Sequence, residues 1–191
     1  MQKLFEVQQV LAGWMTFIIR DDTEEYFFDV SYLTNFPDDF MLALTAAIDR
    51  WPKDERADSF TTDEEPRFSE WEVTADGDNL IFRVTTYESS SRRKMTGESV
   101  ITVNRDRFLR DFVSEMSDVL QRFGMFGYRR EWNYEFPLSL FLQLKSYVSD
   151  HEILEMQKDG SDNCGRDYWS TDFDREREEL QDIFENARGM R

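Results

Sequence analysis

The sequence predicts an α+β fold: an antiparallel sheet of about five strands with helices packed on one face, and a peripheral helix at the C-terminus. Apolar segments with strand-like alternation occur in pairs joined by turn residues. Segments with helical apolar periodicity then dominate the rest of the chain. A sizeable core is available, since the 191 residues include 17 Phe, 7 Tyr and 5 Trp.

Two hairpins and one further strand make up the predicted sheet. Residues 13–33 are predicted to form the first hairpin, with an acidic tip at residues 21–24. Residues 68–74 and 80–87 form the second, because the Asp-Gly pair between them favours a tight reversal. Residues 100–103 add a short fifth strand. The charged segment between the hairpins, residues 52–67, is predicted to be a polar loop.

The first predicted helix covers about residues 35–51 and lies between the two hairpins. Pro37 is well placed near its first turn, because the fixed φ of proline suits the start of a helix. Asp38 and Asp39 follow, and their charges are favourable near the positive end of the helix dipole. Apolar residues at helical spacing indicate that one face of this helix is buried.

Two more helices are predicted after the last strand. Apolar residues recur at steps of three and four over residues 105–123, Asn104 is a suitable N-cap, and Gly124 marks the end. A connector rich in aromatic rings follows. Residues 137–148 then form a helix that is apolar on most sides, which predicts deep burial.

The predicted organisation is a single α+β domain over residues 1–148 and a segment of different character over 149–191. Residues 149–171 show no apolar periodicity and are expected to form an irregular connection. Residues 172–187 are predicted to form a charged helix with only a narrow apolar stripe. We expect this C-terminal helix to dock peripherally on the same domain.

Charge and cysteine content restrict both function and compartment. The chain has 40 Asp and Glu against 23 Lys and Arg, a net charge of −17 that repels nucleic-acid phosphates. One Cys and one His exclude an internal disulfide and a zinc site built only from those two residue types. The N-terminal segment lacks the apolar core of a signal peptide, and no apolar stretch has the length of a membrane helix. We therefore expect a cytoplasmic protein that contacts neither nucleic acid nor membrane.

No motif in the chain predicts catalysis. His151 and Cys164 could form a nucleophilic pair, but the acids around Cys164 raise the pKa of a thiol and weaken it as a nucleophile. No glycine-rich phosphate loop is present, and the acids around Gly77, Gly160 and Gly165 do not have the spacing of a calcium loop. Glu70 and Glu72, on one face of a predicted strand, leave a carboxylate-dependent, metal-assisted enzyme as the alternative. The preferred prediction is a non-catalytic protein without cofactor or metal.

Two features predict binding to a basic protein. Asp63, Glu64 and Glu65 lie in the predicted polar loop, where carboxylates attract a cationic surface and speed encounter. Trp132 and Tyr134 lie in the ring-rich connector, and Tyr and Trp are frequent anchors of protein–protein interfaces. The alternative for these two rings is a place in the core between two helices. The five residues together form the predicted partner-binding site.

In size, acidity, ring content and lack of catalytic motifs, the chain resembles the small immunity proteins that accompany bacterial polymorphic and contact-dependent toxins. The segment GYRREWNYEFPLSLFLQLK is similar in character to a core segment of such proteins. The resemblance implies one dedicated toxin partner, no cofactor and no turnover. A nuclease is a physically sensible toxin, because its nucleic-acid site must be positively charged. An acidic adaptor without a toxin partner is a further alternative.

Overall fold

The computed structural model describes residues 2–49, 59–150, 152, 154, 157–161 and 167–186. The described chain contains nine strands and four helices. In chain order these are β1 (Phe5–Leu11), β2 (Trp14–Arg20), β3 (Glu25–Ser31), α1 (Phe36–Asp49), β4 (Ser59–Glu64), β5 (Arg67–Asp76), β6 (Asn79–Tyr87), β7 (Met95–Asn104), α2 (Arg105–Trp132), α3 (Leu138–Asp150), β8 (Gln157–Ser161), β9 (Asp167–Ser170) and α4 (Phe173–Asn186).

All strand pairs are antiparallel, and the strands form two main sheets and a small hairpin. The first sheet has the order β1-β2-β3, the second has the order β4-β5-β6-β7, and β8 pairs with β9. The predicted α+β class and the C-terminal helix are confirmed. The predicted hairpins correspond to β2–β3 and β5–β6, and the fifth predicted strand to β7. The strands are more numerous than predicted and divide between two sheets.

The additional strands lie where the apolar alternation is weak. β1 carries Gln8 and Gln9 on an edge strand, so only part of its sequence faces the core. β4 and the β8–β9 hairpin correct the predictions of a polar loop over 52–67 and an irregular connection over 149–171. Polar residues form these strands because backbone pairing with a neighbour, rather than burial of apolar side chains, holds them in place.

The core is an aromatic cluster that joins both sheets to α1 and α2. Phe17 of the first sheet stacks on Phe36 at the start of α1, with ring centroids 4.6 Å apart. Phe5 lies 4.8 Å from Phe112 of α2. Phe40 of α1 reaches the second sheet at Phe82, 5.7 Å away. Burial of these large rings is the main force that holds the two sheets together.

Helix α2 begins as predicted but continues further. The side chain of Asn104 accepts a hydrogen bond from the backbone N–H of Arg107 and caps the helix. Gly124 interrupts the helix with φ 63° and ψ 175°, in agreement with the predicted end. The chain then resumes helical structure up to Trp132, which corrects the prediction of a connector. Tyr128 and Trp132, one turn apart, are buried and explain why this second part is helical.

The C-terminal helix packs against the preceding helices. Lys145 of α3 is buried, and its ammonium group pairs with Glu179 and Asp182 of α4. The side chain of Gln121 in α2 donates to the backbone carbonyl of Ile183 at 3.1 Å. α3 itself matches the helix predicted over 137–148. In the part of the chain that the structure describes, no helix combines the length and apolarity needed to cross a bilayer.

Candidate functional site

The loop that follows β3, residues 32–35, connects three parts of the molecule. The backbone N–H of Tyr32 donates to the carbonyl of Gly13, in the turn between β1 and β2, at 2.8 Å. The backbone N–H of Asp63 in β4 donates to the hydroxyl of Thr34 at 3.2 Å. The loop therefore brings the first hairpin turn and the end of β4 to one end of the first sheet.

Helix α2 supports the same loop from the side of the core. The indole Nε1 of Trp132 donates to the side-chain oxygen of Asn35 at 3.4 Å. Trp132 is completely buried, so it is a rigid support for the loop and the start of α1. The exposed surface at this end of the first sheet therefore lies over a packed core.

Three apolar side chains are exposed at this end of the sheet. Leu11, Tyr32 and Leu33 expose 51%, 38% and 53% of their surfaces. The ring of Tyr32 lies directly against Gly13, where an added Cβ would come within 2.6 Å of its Cδ1 atom. The ring is thus held beside the turn that follows Leu11. We call these three side chains the apolar patch, since clustered exposed apolar surface marks interaction sites.

The outer face of the first sheet carries two further apolar side chains, Trp14 beside the apolar patch and Phe27 nearer the opposite end of the sheet. Trp14 pairs with Leu11 across β1 and β2 and is half-buried, whereas the next residue, Met15, points into the core. Phe27 of β3 is 67% exposed. Of the eight large apolar side chains exposed in the described residues, four lie on this sheet or its following loop. Half of these exposed apolar side chains therefore belong to the first sheet and the loop that follows it.

Carboxylates border the apolar patch on two sides. Glu131 of α2 accepts the backbone N–H of Ala12 through its side chain at 3.3 Å. Asp63, tied to the loop through Thr34, also accepts the backbone N–H of the exposed Glu65 at 3.0 Å. Arg130 adjoins Glu131 and is exposed. The border is thus mainly acidic.

Two further carboxylates lie in the first turn of α1, immediately after the loop. Asp38 and Asp39 are half-buried, and in the described chain neither has an ion pair or a side-chain hydrogen bond. Burial raises the pKa of Asp38. Burial and, secondarily, the neighbouring charge of Asp38 raise the pKa of Asp39 to about 6. Among the described residues, no cation therefore forms an ion pair with either of these like charges.

Tyr128 in the second part of α2 is a buried phenol. The side chain of Tyr128 has no exposed surface, and its hydroxyl has no hydrogen-bond partner among the residues that the structure describes. Burial raises the pKa of Tyr128, and the charge of Asp38 raises it further. Trp132, one turn along α2, binds Asn35 at the N-terminus of α1. Tyr128 therefore shares one face of α2 with Trp132, and its ring packs edge-on against Phe136 with ring centroids 5.2 Å apart.

The structure places the three predicted acidic contacts differently from the sequence analysis. Asp63 and Glu64 lie in β4 rather than in a loop. Asp63 is half-buried and Glu65 is exposed. Glu64 is only 8% exposed, because its carboxylate accepts the hydroxyl of Ser69 at 2.6 Å and approaches Arg67 at 3.5 Å. Glu64 therefore stabilises the β4–β5 pair and is not part of the candidate surface.

The two predicted aromatic anchors also occupy different environments. Trp132 is completely buried and belongs to the core, which corrects its assignment as a contact residue. Tyr134 is half-buried and packs against the core cluster. Of the five predicted contact residues, Asp63 lies beside the apolar patch, and Trp132 supports the loop from below.

Of the four alternative catalytic residues, only Glu70 and Glu72 lie in the part of the chain that the structure describes. His151 and Cys164 lie outside the described residues. Glu70 accepts the hydroxyl of Tyr87 at 3.0 Å and pairs with Arg92 at 2.8 Å, while Glu72 approaches Arg83 at 3.6 Å. Both glutamates thus have cationic partners. Among the described residues, no group of three or more His, Cys, Asp or Glu side chains is arranged to hold a metal ion.

The residues that sequence reasoning missed are Leu11, Tyr32 and Leu33. Each follows or ends a segment with strand-like pattern, where an apolar residue normally continues the core face. Their exposure arises from the end of the sheet and from the close contact of Tyr32 with Gly13. A useful sequence signal would have been the apolar pair Tyr32-Leu33 directly before a helix start with two acids.

Comparisons with protein-family models, with characterised proteins and with solved structures find no match for this chain.

Proposed function

We propose that this chain is a non-catalytic binding protein that neutralises a basic protein partner in the cytoplasm, as the immunity proteins of bacterial toxin systems do. The partner in this proposal is a toxin domain with a cationic active site. The chain blocks that site by contact and needs neither cofactor nor turnover.

The observation that carries the proposal is the apolar patch with its acidic border. Leu11, Tyr32 and Leu33 supply the kind of exposed apolar and aromatic surface that anchors protein–protein interfaces. Asp63 and Glu131, tied by hydrogen bonds to the loop and to the hairpin turn, place negative charge beside it. An apolar centre with a charged rim is the usual anatomy of a specific protein interface.

The overall charge favours the same kind of partner. A net charge of −17 gives a long-range attraction for a basic protein and a repulsion for nucleic acid. Such steering raises the rate of encounter, while the apolar contacts determine how long the complex lasts. The acidic tip of the first hairpin, Asp21 to Glu25, adds to this field.

A growth-rescue experiment tests the proposal. The immunity function requires a basic toxin domain encoded beside this chain, as the C-terminal part of a large secreted protein. Bacteria that produce this domain should stop growing and should recover when the intact chain is produced with it. A variant with Tyr32→Ala and Leu33→Ala should rescue growth poorly.

The matched control removes two exposed apolar side chains elsewhere. Met95 and Val100 lie on β7 and are similarly exposed, so the Met95→Ala, Val100→Ala variant should rescue growth like the unaltered chain. Failure of the unaltered chain to rescue growth, or the absence of any adjacent toxin gene, would contradict the proposal. Equal rescue by both double variants would show that the apolar patch is not part of the interface.

A further inference from the structure

We propose that Phe27 and Asp29 of β3 form a subsite that receives one arginine side chain of the basic partner. This inference rests on the proposed function, and it names the chemical group that the outer face of the first sheet recognises. The two residues are separated by one position on a regularly paired strand, so both side chains lie on the same face of the sheet. That face also carries Trp14, which adjoins the apolar patch.

Both side chains of the subsite are accessible. Phe27 is 67% exposed, so most of its ring surface is free to stack with another group. Asp29 is exposed, and its carboxylate accepts the hydroxyl of Thr16 on the neighbouring strand β2 at 2.9 Å. This hydrogen bond comes from a neutral group and leaves the charge of the carboxylate in place. Among the described residues, no cation forms an ion pair with Asp29.

The second sheet contains the same arrangement of ring and carboxylate with an arginine already bound to it. Phe68 and Glu70 are likewise separated by one position on a regularly paired strand, β5, and share one face. Arg92, in the loop between β6 and β7, places its guanidinium carbon 5.1 Å from the centroid of the Phe68 ring. The same guanidinium pairs with Glu70 at 2.8 Å. One arginine therefore contacts a ring and a carboxylate on alternate residues of a strand, which is the geometry that β3 presents at its surface.

The charge of the outer face complements a basic partner. Arg20 of β2 lies on this face and pairs with Glu6 at 2.7 Å and with Glu25 at 2.8 Å. It is only 8% exposed and is engaged by these two carboxylates. One internal cation thus serves two acids at one end of the face, and Asp29 adds a third negative charge. Such a surface attracts a cationic side chain of a partner.

The pairing of a flat ring with a carboxylate favours arginine over lysine. A guanidinium group is planar, so it can stack on an aromatic face while its N–H groups reach a carboxylate. A lysine ammonium is a compact and strongly hydrated charge that has no flat surface to stack. Arginine is also one of the residue types that contribute most to protein–protein interfaces.

Titration of the intact chain with blocked single amino acids, followed by NMR, tests the subsite. N-acetyl-arginine amide carries the guanidinium, N-acetyl-lysine amide carries the same charge as an ammonium, and N-acetyl-citrulline amide has nearly the shape of arginine without its charge. At constant ionic strength, the arginine compound should shift the backbone amide of Asp29 and the ring signals of Phe27 in a saturable manner. The lysine compound should bind about threefold or more weakly, because it loses the stacking contact. The citrulline compound should leave these signals nearly unchanged.

Two variants and two matched controls assign the response to the proposed groups. Asp29→Asn should weaken binding of the arginine compound about fivefold, the upper range for an exposed ion pair. Phe27→Ala should weaken it about threefold. Glu72→Gln removes an exposed carboxylate on the second sheet, and Phe126→Ala removes an exposed ring on α2. Both controls should bind the arginine compound like the unaltered chain.

A further variant opens the corresponding site on the second sheet. Arg92→Ala removes the internal arginine from Phe68 and Glu70. The ring signals of Phe68 should then respond to the arginine compound, as those of Phe27 do in the unaltered chain. An unresponsive Phe68 would show that a ring and a carboxylate at this spacing do not suffice, and the argument for the subsite on β3 would fail with it.

Three other outcomes separate the subsite from the proposed function. Equal responses to the arginine and lysine compounds, or a response that survives both Asp29→Asn and Phe27→Ala, would overturn the subsite. A chain that rescues growth but shows no saturable response to the arginine compound would keep the proposed function and lose the subsite. A chain that shows the expected arginine response but fails to rescue growth would keep the arginine-binding subsite and contradict the proposed function.

Discussion

The free edge of β1 and the start of α1 use their carboxylates in opposite ways. Along β1, Asp111 and Glu115 of α2 are spaced one helical turn apart. They accept the backbone N–H groups of Leu4 and Val7 at 2.7 and 2.9 Å. Glu115 also pairs with Lys3. At the start of α1, by contrast, Asp38 and Asp39 have no such partners in the described chain.

The difference separates acids whose charges are offset within the fold from acids that have no such partner in the described residues. An uncovered strand edge exposes unpaired backbone groups and invites association with other strands. Asp111 and Glu115 remove that hazard, and their charges are offset by hydrogen bonds within the chain. At α1, burial raises the pKa of Asp38 and Asp39, so the charged forms of these two side chains are disfavoured in the folded chain. Net charge alone does not reveal this distinction.

The largest expected effect on stability concerns Trp132, which supports the loop before α1. Trp132→Ala should lower the free energy of unfolding by about 3–5 kcal/mol, the usual cost of truncating a fully buried tryptophan. Chemical denaturation monitored by circular dichroism would measure this cost. A loss below about 1 kcal/mol would mean that Trp132 is not the packed support that its burial indicates.

Removing the carboxylate that covers the edge of β1 should cost less stability, but a clearly measurable amount. Glu115→Ala leaves the N–H of Val7 without its acceptor and Lys3 without its counter-charge, so we expect a loss of about 1–3 kcal/mol. Glu115→Gln keeps an acceptor oxygen and should lose less. Denaturation curves of the two variants would check the order. Equal losses would show that charge, not the hydrogen bond, dominates at this edge.

Replacing an acid at the start of α1 should raise the stability of the chain rather than lower it. The pKa of Asp39 is raised to about 6 in the folded chain, so its contribution to stability is greatest at low pH and is lost as the pH rises through about 6. Asp39→Asn removes this loss. After allowance for the exposed part of the side chain, the variant should gain about 1 kcal/mol at neutral pH and nothing near pH 4.

Thermal melting at both pH values would measure this gain, with Asp174→Asn as the matched control. Asp174 pairs with Arg177 at the start of α4, so its replacement should not stabilise the chain. A destabilised Asp39→Asn variant at neutral pH would show that the helix dipole outweighs the burial of this carboxylate.

More of the fold than of the candidate site could be predicted from the sequence. The periodicity of α2, its Asn104 cap and the Asp-Gly turn of the second hairpin act within a few residues, so the sequence predicted them. β1 and β4 each pair with the next strand of the chain through a two-residue turn, and β4 is also held by polar contacts such as Glu64 with Ser69. Their side chains carry little local signal.

The candidate site escaped prediction for a related reason. The exposure of Leu33 and Tyr32 depends on where the first sheet ends, and the position of Trp132 depends on a tertiary contact with Asn35, just before α1. Asp38 and Asp39 were predicted at the helix start, but only the tertiary structure shows that no described residue forms an ion pair with them. Asp63 was predicted for its charge, and its position beside the loop follows from one hydrogen bond to Thr34.

The most direct measurement is the binding kinetics of this chain with the adjacent basic toxin domain at low and high salt. Carboxylates near the apolar patch should make association fast at low salt and slower at high salt, because exposed charges are screened beyond about 8–10 Å. Asp63→Lys with Glu65→Lys should lower the on-rate, whereas Tyr32→Ala with Leu33→Ala should raise the off-rate about tenfold or more. Met95→Ala with Val100→Ala should change neither rate. An on-rate indifferent to salt and charge reversal, together with an off-rate indifferent to loss of the patch, would contradict the account.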